Sequence, residues 1–221
     1  MMVSFDFMSN PIDLSENKIS VLYVENHQLY RNTVKNFYDG CFDEKNIVFS
    51  ENYSPIKFKN NICFISDIFS IDFSSAFMKK IYEDLSEYAN TFLTEDTLKI
   101  KTNVLCYLEM LSQNYDFDFE FKDELDIIDL LKLQSFKPVV SGDLLNKLLD
   151  FMIVIKKYST VKCFVLLNIH NCFSADELEL LYKELIYQNI NVLLIENKKC
   201  FLSSQYEKIY IVDEDLCEII D

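Results

Sequence analysis

Five short runs of branched and aromatic residues place the strongest limit on how this chain can fold. Each run has the length of a β-strand and is bounded by polar residues. The runs are Ile19–Val24, Ile62–Ser66, Cys163–Leu167, Val192–Ile195 and Lys208–Val212. Strands buried on both faces of a parallel sheet look like this, because neither face needs a polar stripe. A weaker pair, Val3–Met8 and Ile47–Phe49, predicts two further N-terminal strands.

Helical patterns alternate with these runs. Gln28–Tyr38 follows the first run, and Ser174–Tyr187 lies between the third and the fourth. Ser174 and Glu177 have the spacing of a capping box, and the leucines that follow recur on one helical face. Alternation of strand and helix at this spacing predicts an α/β fold with a mostly parallel sheet and right-handed crossovers.

The middle of the chain is mostly helical in pattern. The candidate helices are Ser75–Tyr88, Thr94–Ser112, Leu125–Leu133 and Asp143–Lys157. We therefore predict a helical domain over residues 74–159, inserted into an α/β domain that is built from residues 1–73 and 160–221.

Glycine is scarce, and this excludes two kinds of nucleotide site. The chain has only Gly40 and Gly142, so it contains neither a phosphate loop nor a glycine-rich dinucleotide turn. Glu25 follows the first predicted strand, where a phosphate loop would begin, and its charge would repel a triphosphate. The pattern is typical of a nucleotide-binding frame that binds no nucleotide.

Seven carboxylates lie within the fifteen residues from Tyr115 to Asp129. In an extended chain, side chains alternate between two faces, so three of these acids would share one face and four aromatic residues the other. The aromatic face could be buried, while Ca²⁺ could bridge the acidic face through oxygen ligands. The acids are Asp116, Asp118 and Glu120, and the aromatic residues are Tyr115, Phe117, Phe119 and Phe121.

An EF-hand loop does not account for this acidic run. In the frame that starts at Asp116, Phe121 stands where the loop needs glycine and Ile127 where it needs the closing glutamate. A second interpretation stays open, in which the run is a solvated acidic edge without a ligand.

The net charge of −15, from 36 acids and 21 bases, argues against indiscriminate attraction to nucleic acid. Binding to phosphates depends on cations that release counterions, so the positions of the lysines matter more than the total. Taken singly, the lysines are typical of a solvated surface, but copies gathered around an opening in an oligomer would form a positive rim. The candidates are Lys79, Lys80, Lys132, Lys137, Lys156, Lys157 and Lys162.

Three other polar residues are interpreted as structural. Asp67 follows an apolar run, where phosphate-hydrolysing proteins keep a Mg²⁺ ligand, but without a phosphate loop we expect it to cap the next turn. His27 and His170 each follow a predicted strand, and we expect loop or cap residues. Their spacings from cysteine do not suit a zinc site.

The seven cysteines include no CxxC pair, and the N-terminus lacks a signal-peptide pattern. We therefore expect a reduced, cytoplasmic chain. No apolar stretch approaches the roughly 18 residues that suggest a membrane span, so no membrane contact is expected.

The order of several segments resembles a known family. The segments are Ile65–Ser75, Asp118–Phe121, Phe164–Asn168 and Asn191–Glu196. Their order and spacing are similar to the short form of the CRISPR-associated Csn-two (Csn2) family of type II-A systems, which takes part in acquiring new spacers.

The resemblance implies an α/β head with a vestigial P-loop NTPase-like topology and an inserted helical leg. It also implies a non-enzymatic homotetrameric ring that binds double-stranded DNA ends through a basic central hole and needs no nucleotide cofactor. The implied protein partners are other acquisition proteins, namely the integrase complex and the effector nuclease. The implied ligands of Ca²⁺ near the leg are Asp118, Glu120, Asp123 and Asp129, with Asp116 and Asp126 as further ligands.

Two other functions stay open on the sequence alone. The chain could be a divergent Mg²⁺-dependent phosphohydrolase or nuclease that uses Asp67 and the acidic run. It could instead be a scaffold for acquisition proteins, with DNA contact incidental.

Overall fold

The computed structural model describes residues 1–14, 17–40, 46–73, 75–122, 124–139, 142–198 and 204–220. The chain divides into two compact units. Unit 1 contains Met1–Asp72 and Val140–Asp221, and unit 2 contains Phe73–Val139. Among the residues described, no helix combines the length and the apolar character that crossing a membrane requires.

The strands all belong to unit 1. In chain order they are β1 (Met2–Phe5), β2 (Ile12–Asp13), β3 (Ile19–Val24), β4 (Ile47–Glu51), β5 (Ser54–Pro55), β6 (Ile62–Ile65), β7 (Cys163–Leu167), β8 (Asn191–Glu196), β9 (Glu207–Val212) and β10 (Glu218–Ile220). The helices of the chain are α1 (His27–Tyr38), α2 (Phe58–Asn61), α3 (Ser75–Phe92), α4 (Thr94–Ser112), α5 (Ile127–Leu133), α6 (Leu144–Tyr158) and α7 (Ala175–Tyr187), with a 3₁₀ turn at Ile169–Asn171.

The main sheet has six strands in the order β10-β9-β3-β8-β7-β6. The five strands from β9 to β6 are parallel to one another. The remaining strand, β10, lies at the edge of the sheet and is antiparallel to β9. A second, antiparallel sheet has the order β2-β1-β4-β5. The predicted α/β class with a mostly parallel sheet is therefore confirmed.

The five apolar runs became the five parallel strands for the reason that the sequence suggested. Every residue of β3 is buried, as are most residues of β7, β8 and β9. Strands that are covered on both faces need apolar residues at successive positions. β3 and β7 have the predicted bounds, and the other three differ by one residue at one or both ends.

Two layers cover the main sheet. On one face, Phe37 of α1 and Val3 and Phe49 of the small sheet form one core with alternate strand residues such as Leu22 and Leu193. The opposite face carries the other residues of the same strands. Helix α7 covers it, and its start is fixed by the capping box predicted for Ser174.

Helix α6 lies in a different unit from the one predicted. The sequence placed it in a helical insertion that ended at residue 159, whereas the compact helical unit ends at Val139. Leu148 and Met152 of α6 are completely buried, and its Lys156 bonds to the end of α7. A continuous helical pattern shows that a segment is helical, but it does not show which core its apolar stripe joins.

Candidate metal and nucleic-acid sites

The acidic run is not extended, although its residues alternate as they would in a strand. Residues 113–122 form turns and irregular chain, and unit 2 has no strand among its described residues that could pair with them. In a strand, Tyr115 and Phe119 would lie about 13 Å apart, but their ring centroids are 5.3 Å apart, and both rings also contact Phe117. The chain therefore curls around a cluster of three rings.

The aromatic residues, which could have been buried in an extended chain, are instead largely exposed. Tyr115, Phe117 and Phe119 are 57%, 62% and 48% exposed. An alternating pattern shows which residues would share a face, but a strand also needs a partner to receive its backbone hydrogen bonds. Without that partner, the aromatic residues cover one another and leave an apolar surface.

The described acids of the run have different surroundings. Asp116, Asp118 and Glu120 are exposed on the irregular segment. Asp126 caps α5, where its Oδ1 accepts a hydrogen bond from the Ile128 amide at 2.9 Å. Asp123 lies outside the described residues.

Asp129 is already paired with two cations. Its carboxylate lies 3.3 Å from Lys122 Nζ and 3.6 Å from Lys132 Nζ. The hydrogen bond from Lys122 is the largest cause that lowers the pKa of Asp129, followed by the charge of the same lysine. Lys122 therefore neutralises part of the acidic run within the chain.

The described acids do not fit a ready-made calcium site. No group of three or more His, Cys, Asp or Glu side chains in the described part of the chain is arranged to hold a metal ion. Calcium takes six to eight oxygen ligands, whereas Asp126 and Asp129 use oxygens in a helix cap and in lysine pairs.

Of the seven candidate lysines, four form hydrogen bonds or ion pairs within their own unit. Lys156 bonds to the end of α7 and Lys162 to Glu51. Lys79 pairs with its helix neighbour Glu83 at 3.7 Å, and Lys132 with Asp129. The other three candidates, Lys80, Lys137 and Lys157, are exposed.

The structure reveals a row of four lysines, of which the sequence analysis named only Lys162. In parallel strands the amino ends meet at one edge of the sheet, and lysines precede three of these ends by no more than five residues. Lys18 precedes β3, Lys162 precedes β7, and Lys57 and Lys59 belong to the short segment before β6. We call these four exposed residues the amino-edge lysines. The signal in the sequence was the position of each lysine next to a predicted strand start.

The opposite edge of the sheet, where the parallel strands end, carries acidic residues and residues that cap turns or helices. Asp67 follows β6, and its two oxygens accept from the Phe69 amide at 2.9 Å and the Ser70 hydroxyl at 2.7 Å. These bonds, that of Ser70 first, lower the pKa of Asp67. The expectation that Asp67 caps a turn is confirmed.

The loop after β3 does not present free amides to a phosphate. Asn26 caps α1, where its Oδ1 accepts from the amides of Gln28 at 3.1 Å and Leu29 at 3.0 Å. A helix N-terminus binds phosphate through these same amides. Asn26 occupies them, and the side chain of Glu25 precedes them.

His170 was expected to be a loop or cap residue, and this expectation was wrong. The residue lies in the 3₁₀ turn after β7, but its ring is buried. It contacts Tyr23, Tyr182, Glu196 and Glu207 rather than the nearby cysteine. Its four partners come from distant parts of the chain, so spacing along the sequence could not reveal the cluster.

Comparisons with known proteins bear on the family. The sequence profile of a family described as CRISPR-associated protein (Cas_Csn2) matches residues 38–216. The fold is similar to that in the crystal structure of Stu0660 of Streptococcus thermophilus, with a TM-score of 0.60 and 16% identity, over 100% of this chain and 76% of that one. A comparison with curated proteins gave no significant match. Because the profile covers most of the sequence, the chain belongs to the Csn2 family of CRISPR-associated proteins.

Proposed function

We propose that this protein is a non-enzymatic homotetrameric ring, stabilised by Ca²⁺, that binds double-stranded DNA ends regardless of sequence. It would act in the cytoplasm and support CRISPR spacer acquisition together with the integrase complex and the effector nuclease. Membership of the Csn2 family supports the role in CRISPR adaptation. The observation that carries the DNA-binding part is the row of amino-edge lysines.

These lysines form a suitable surface for a phosphate backbone. β3 and β6 are three strand positions apart in the sheet, so Lys18 and the pair Lys57 and Lys59 are separated by about 14 Å across the strands. Phosphate contacts of this kind carry no sequence information, because they do not reach the base edges. Such a surface on each of four copies would give a positive lining despite the acidic total.

The helical unit supports the self-association part of the proposal. Of the 22 large apolar side chains that are exposed among the described residues, 15 belong to unit 2. Helix α4 has 19 residues but buries only Thr97. Large exposed apolar patches mark protein interaction surfaces.

One part of that surface is concave. A pocket of about 330 Å³ is lined by apolar residues of α4 and by the aromatic cluster of the acidic run, including Leu108, Leu111, Tyr115 and Phe119. We propose that a second copy of the chain covers this apolar surface in the tetramer.

The absence of catalysis is also part of the proposal. We propose that the α/β unit keeps a P-loop NTPase-like frame without nucleotide chemistry. Three features support this: the scarcity of glycine, the capping of the α1 amides by Asn26, and the use of both Asp67 oxygens within a turn.

The calcium part rests on the density of carboxylates alone. Ca²⁺ would have to compete with Lys122 and Lys132 for the oxygens of Asp129. We expect Ca²⁺ to raise the melting temperature and to favour the larger assembly, with Mg²⁺ as the control. The variant Asp118→Asn/Glu120→Gln should respond less. If neither property of the unmodified protein responds to Ca²⁺, this part of the proposal fails.

The decisive experiment combines native mass with DNA retention. Light scattering should give four copies, and the protein should shift a linear duplex but release a covalently closed circle of the same sequence. Cleavage of the DNA or hydrolysis of nucleotide by this preparation would favour an enzyme. A tetramer that retains no linear duplex would favour a scaffold.

A further inference from the structure

Tyr53 lies at the tip of the hairpin that joins β4 to β5, and 94% of it is exposed. Glu51 pairs with Ser54 in this hairpin, so the loop between the two strands consists of Asn52 and Tyr53 alone. A side chain that is exposed to this degree buries almost no apolar area in the core. The aromatic ring is therefore presented to solvent at the end of a tight turn.

The backbone at Tyr53 has a conformation that tyrosine rarely adopts. Asn52 and Tyr53 have φ angles of 49° and 63°, and a type I′ turn requires a positive φ at both central residues. Asparagine suits the first of these positions, whereas glycine is usual at the second. A bulky residue with positive φ costs free energy, and residues held in this way are concentrated at functional sites. Tyr53 thus occupies the place of the residue that would suit the turn best.

The hairpin tip is held beside the amino-edge lysines. Glu51, in the last pair before the turn, forms an ion pair with Lys162. Lys57 follows the end of β5 by two residues. Tyr53 is therefore two residues along the chain from a carboxylate that contacts one lysine of the row, and four residues from another lysine of the row.

Backbone hydrogen bonds join the hairpin and the amino edge of the sheet into one surface. The Ile56 amide donates to Phe49 O at 2.8 Å and extends the pairing of the hairpin beyond β5. The Lys162 amide donates to Asn61 O at 2.7 Å, which joins the start of β7 to the segment before β6. The tyrosine and the lysines thus belong to a connected part of unit 1.

An aromatic ring adds to this surface something that lysines cannot supply. Lysines contact phosphates, and phosphate contacts are the same along the whole length of a duplex. An aromatic side chain stacks on the face of a base, whichever base it is, because every base has a π face. Inside a duplex both faces of each base pair are covered by its neighbours, so an open face exists only at an end. The lysines therefore provide affinity, whereas an aromatic ring distinguishes an end from the interior.

We propose that Tyr53 stacks on the terminal base pair of a DNA end while the amino-edge lysines contact the phosphates next to it. This inference rests on the proposed DNA binding, and it adds the group that recognises the end. Glu51 is the acid nearest to Tyr53 along the chain, and its ion pair with Lys162 balances its charge. The hairpin tip therefore does not repel the DNA backbone.

A fluorescent reporter tests the stacking directly. The chain has no tryptophan, so in the variant Tyr53→Trp all tryptophan fluorescence comes from position 53. Stacking on a base quenches this fluorescence. We expect quenching by a linear duplex, and much less by a small covalently closed circle from which that duplex is made by a single cut. Equal quenching by the two forms, or no quenching by a linear duplex that is bound, overturns the proposal.

The variant Tyr53→Gly tests the contribution to affinity. Glycine adopts a positive φ without strain, so this variant should unfold at a temperature no lower than that of the unmodified protein. Its affinity for the linear duplex should nevertheless fall by about fivefold or more, while its weaker retention of the circle should not change. Tyr53→Phe keeps the aromatic ring and should bind as the unmodified protein does. Asn52→Gly alters the same turn but leaves the ring in place, so it is the matched control and should also keep its affinity.

The outcomes separate this inference from the proposed function. If the unmodified protein binds neither the linear nor the circular form, DNA binding itself fails. If the unmodified protein prefers the linear form and Tyr53→Gly keeps the full preference, the stacking role of Tyr53 is overturned and the proposed function stands. Substitution of the lysines should weaken binding to both forms, whereas loss of the aromatic ring should weaken binding to the linear form alone.

Discussion

Lys156 on α6 closes the C-terminus of α7, because its Nζ lies 2.5 Å from Gln188 O and also donates to Asn189 O. The last carbonyls of a helix have no partner within the helix, and a cation at that end also interacts favourably with the helix dipole. Burial lowers the pKa of this lysine. A residue that the sequence nominated for DNA binding thus has a role inside unit 1.

The variant Lys156→Met should therefore be less stable. It keeps most of the side-chain stem but loses both hydrogen bonds, so we expect the free energy of unfolding to fall by about 1–3 kcal/mol. Urea unfolding followed by circular dichroism measures this change. The neighbouring Lys157→Met is the control, since Lys157 is exposed and its Nζ lies over the Tyr158 ring rather than at the end of α7. Equal midpoints for the two variants would contradict the capping role.

The amino-edge lysines give the second prediction. The triple variant Lys18→Glu/Lys57→Glu/Lys59→Glu should bind linear duplex more weakly. The negative slope of log affinity against log salt should become less steep by about 0.9 for each lost phosphate contact. A triple variant with the same charge change at Lys79, Lys80 and Lys137 is the matched control. If only the control loses affinity, the DNA surface lies on the helical unit instead.

The parallel strands could be predicted because each is marked by a local run of apolar residues. The partners of the charged candidate residues could not be predicted in this way. β3 and β7 were predicted to the residue, because a strand covered on both faces is apolar at nearly every position. The Asp129 pair with Lys122 spans seven residues and the Lys162 pair with Glu51 spans 111. Contacts of this kind depend on the finished fold, so a list of charged residues cannot show which charges are already neutralised.

The apolar surface of α4 gives the third prediction. Leu108 and Leu111 are one turn apart, and both line the pocket beside the aromatic cluster. The variant Leu108→Glu/Leu111→Glu should reduce the native mass measured by light scattering, because two charges would be buried in the contact between copies. Asn103→Glu, at an exposed polar position of the same helix, is the control and should keep the mass. A tetramer that survives the double change would place the contact elsewhere.

The capping box of α7 gives the last prediction, which concerns acid stability. The Glu177 carboxylate accepts hydrogen bonds from the Ser174 amide and hydroxyl, each at 2.8 Å. The hydrogen bond from the Ser174 amide is the largest cause that lowers the pKa of Glu177. An acid whose folded pKa is depressed stabilises the protein above its unfolded pKa, and that contribution disappears as the pH falls through the folded value.

Glu177→Gln keeps the shape of the capping box but cannot titrate. The gap in melting temperature between the unmodified protein and this variant should therefore be constant at neutral pH and close on acidification below the ordinary glutamate pKa. Asp176→Asn, in the same first turn of α7, removes a charge without touching the capping box. Ser174 donates its amide and hydroxyl to Glu177, so the melting-temperature gap between the unmodified protein and Asp176→Asn should change less over the same pH range. If the gaps of the two variants change equally, the effect belongs to the helix dipole alone.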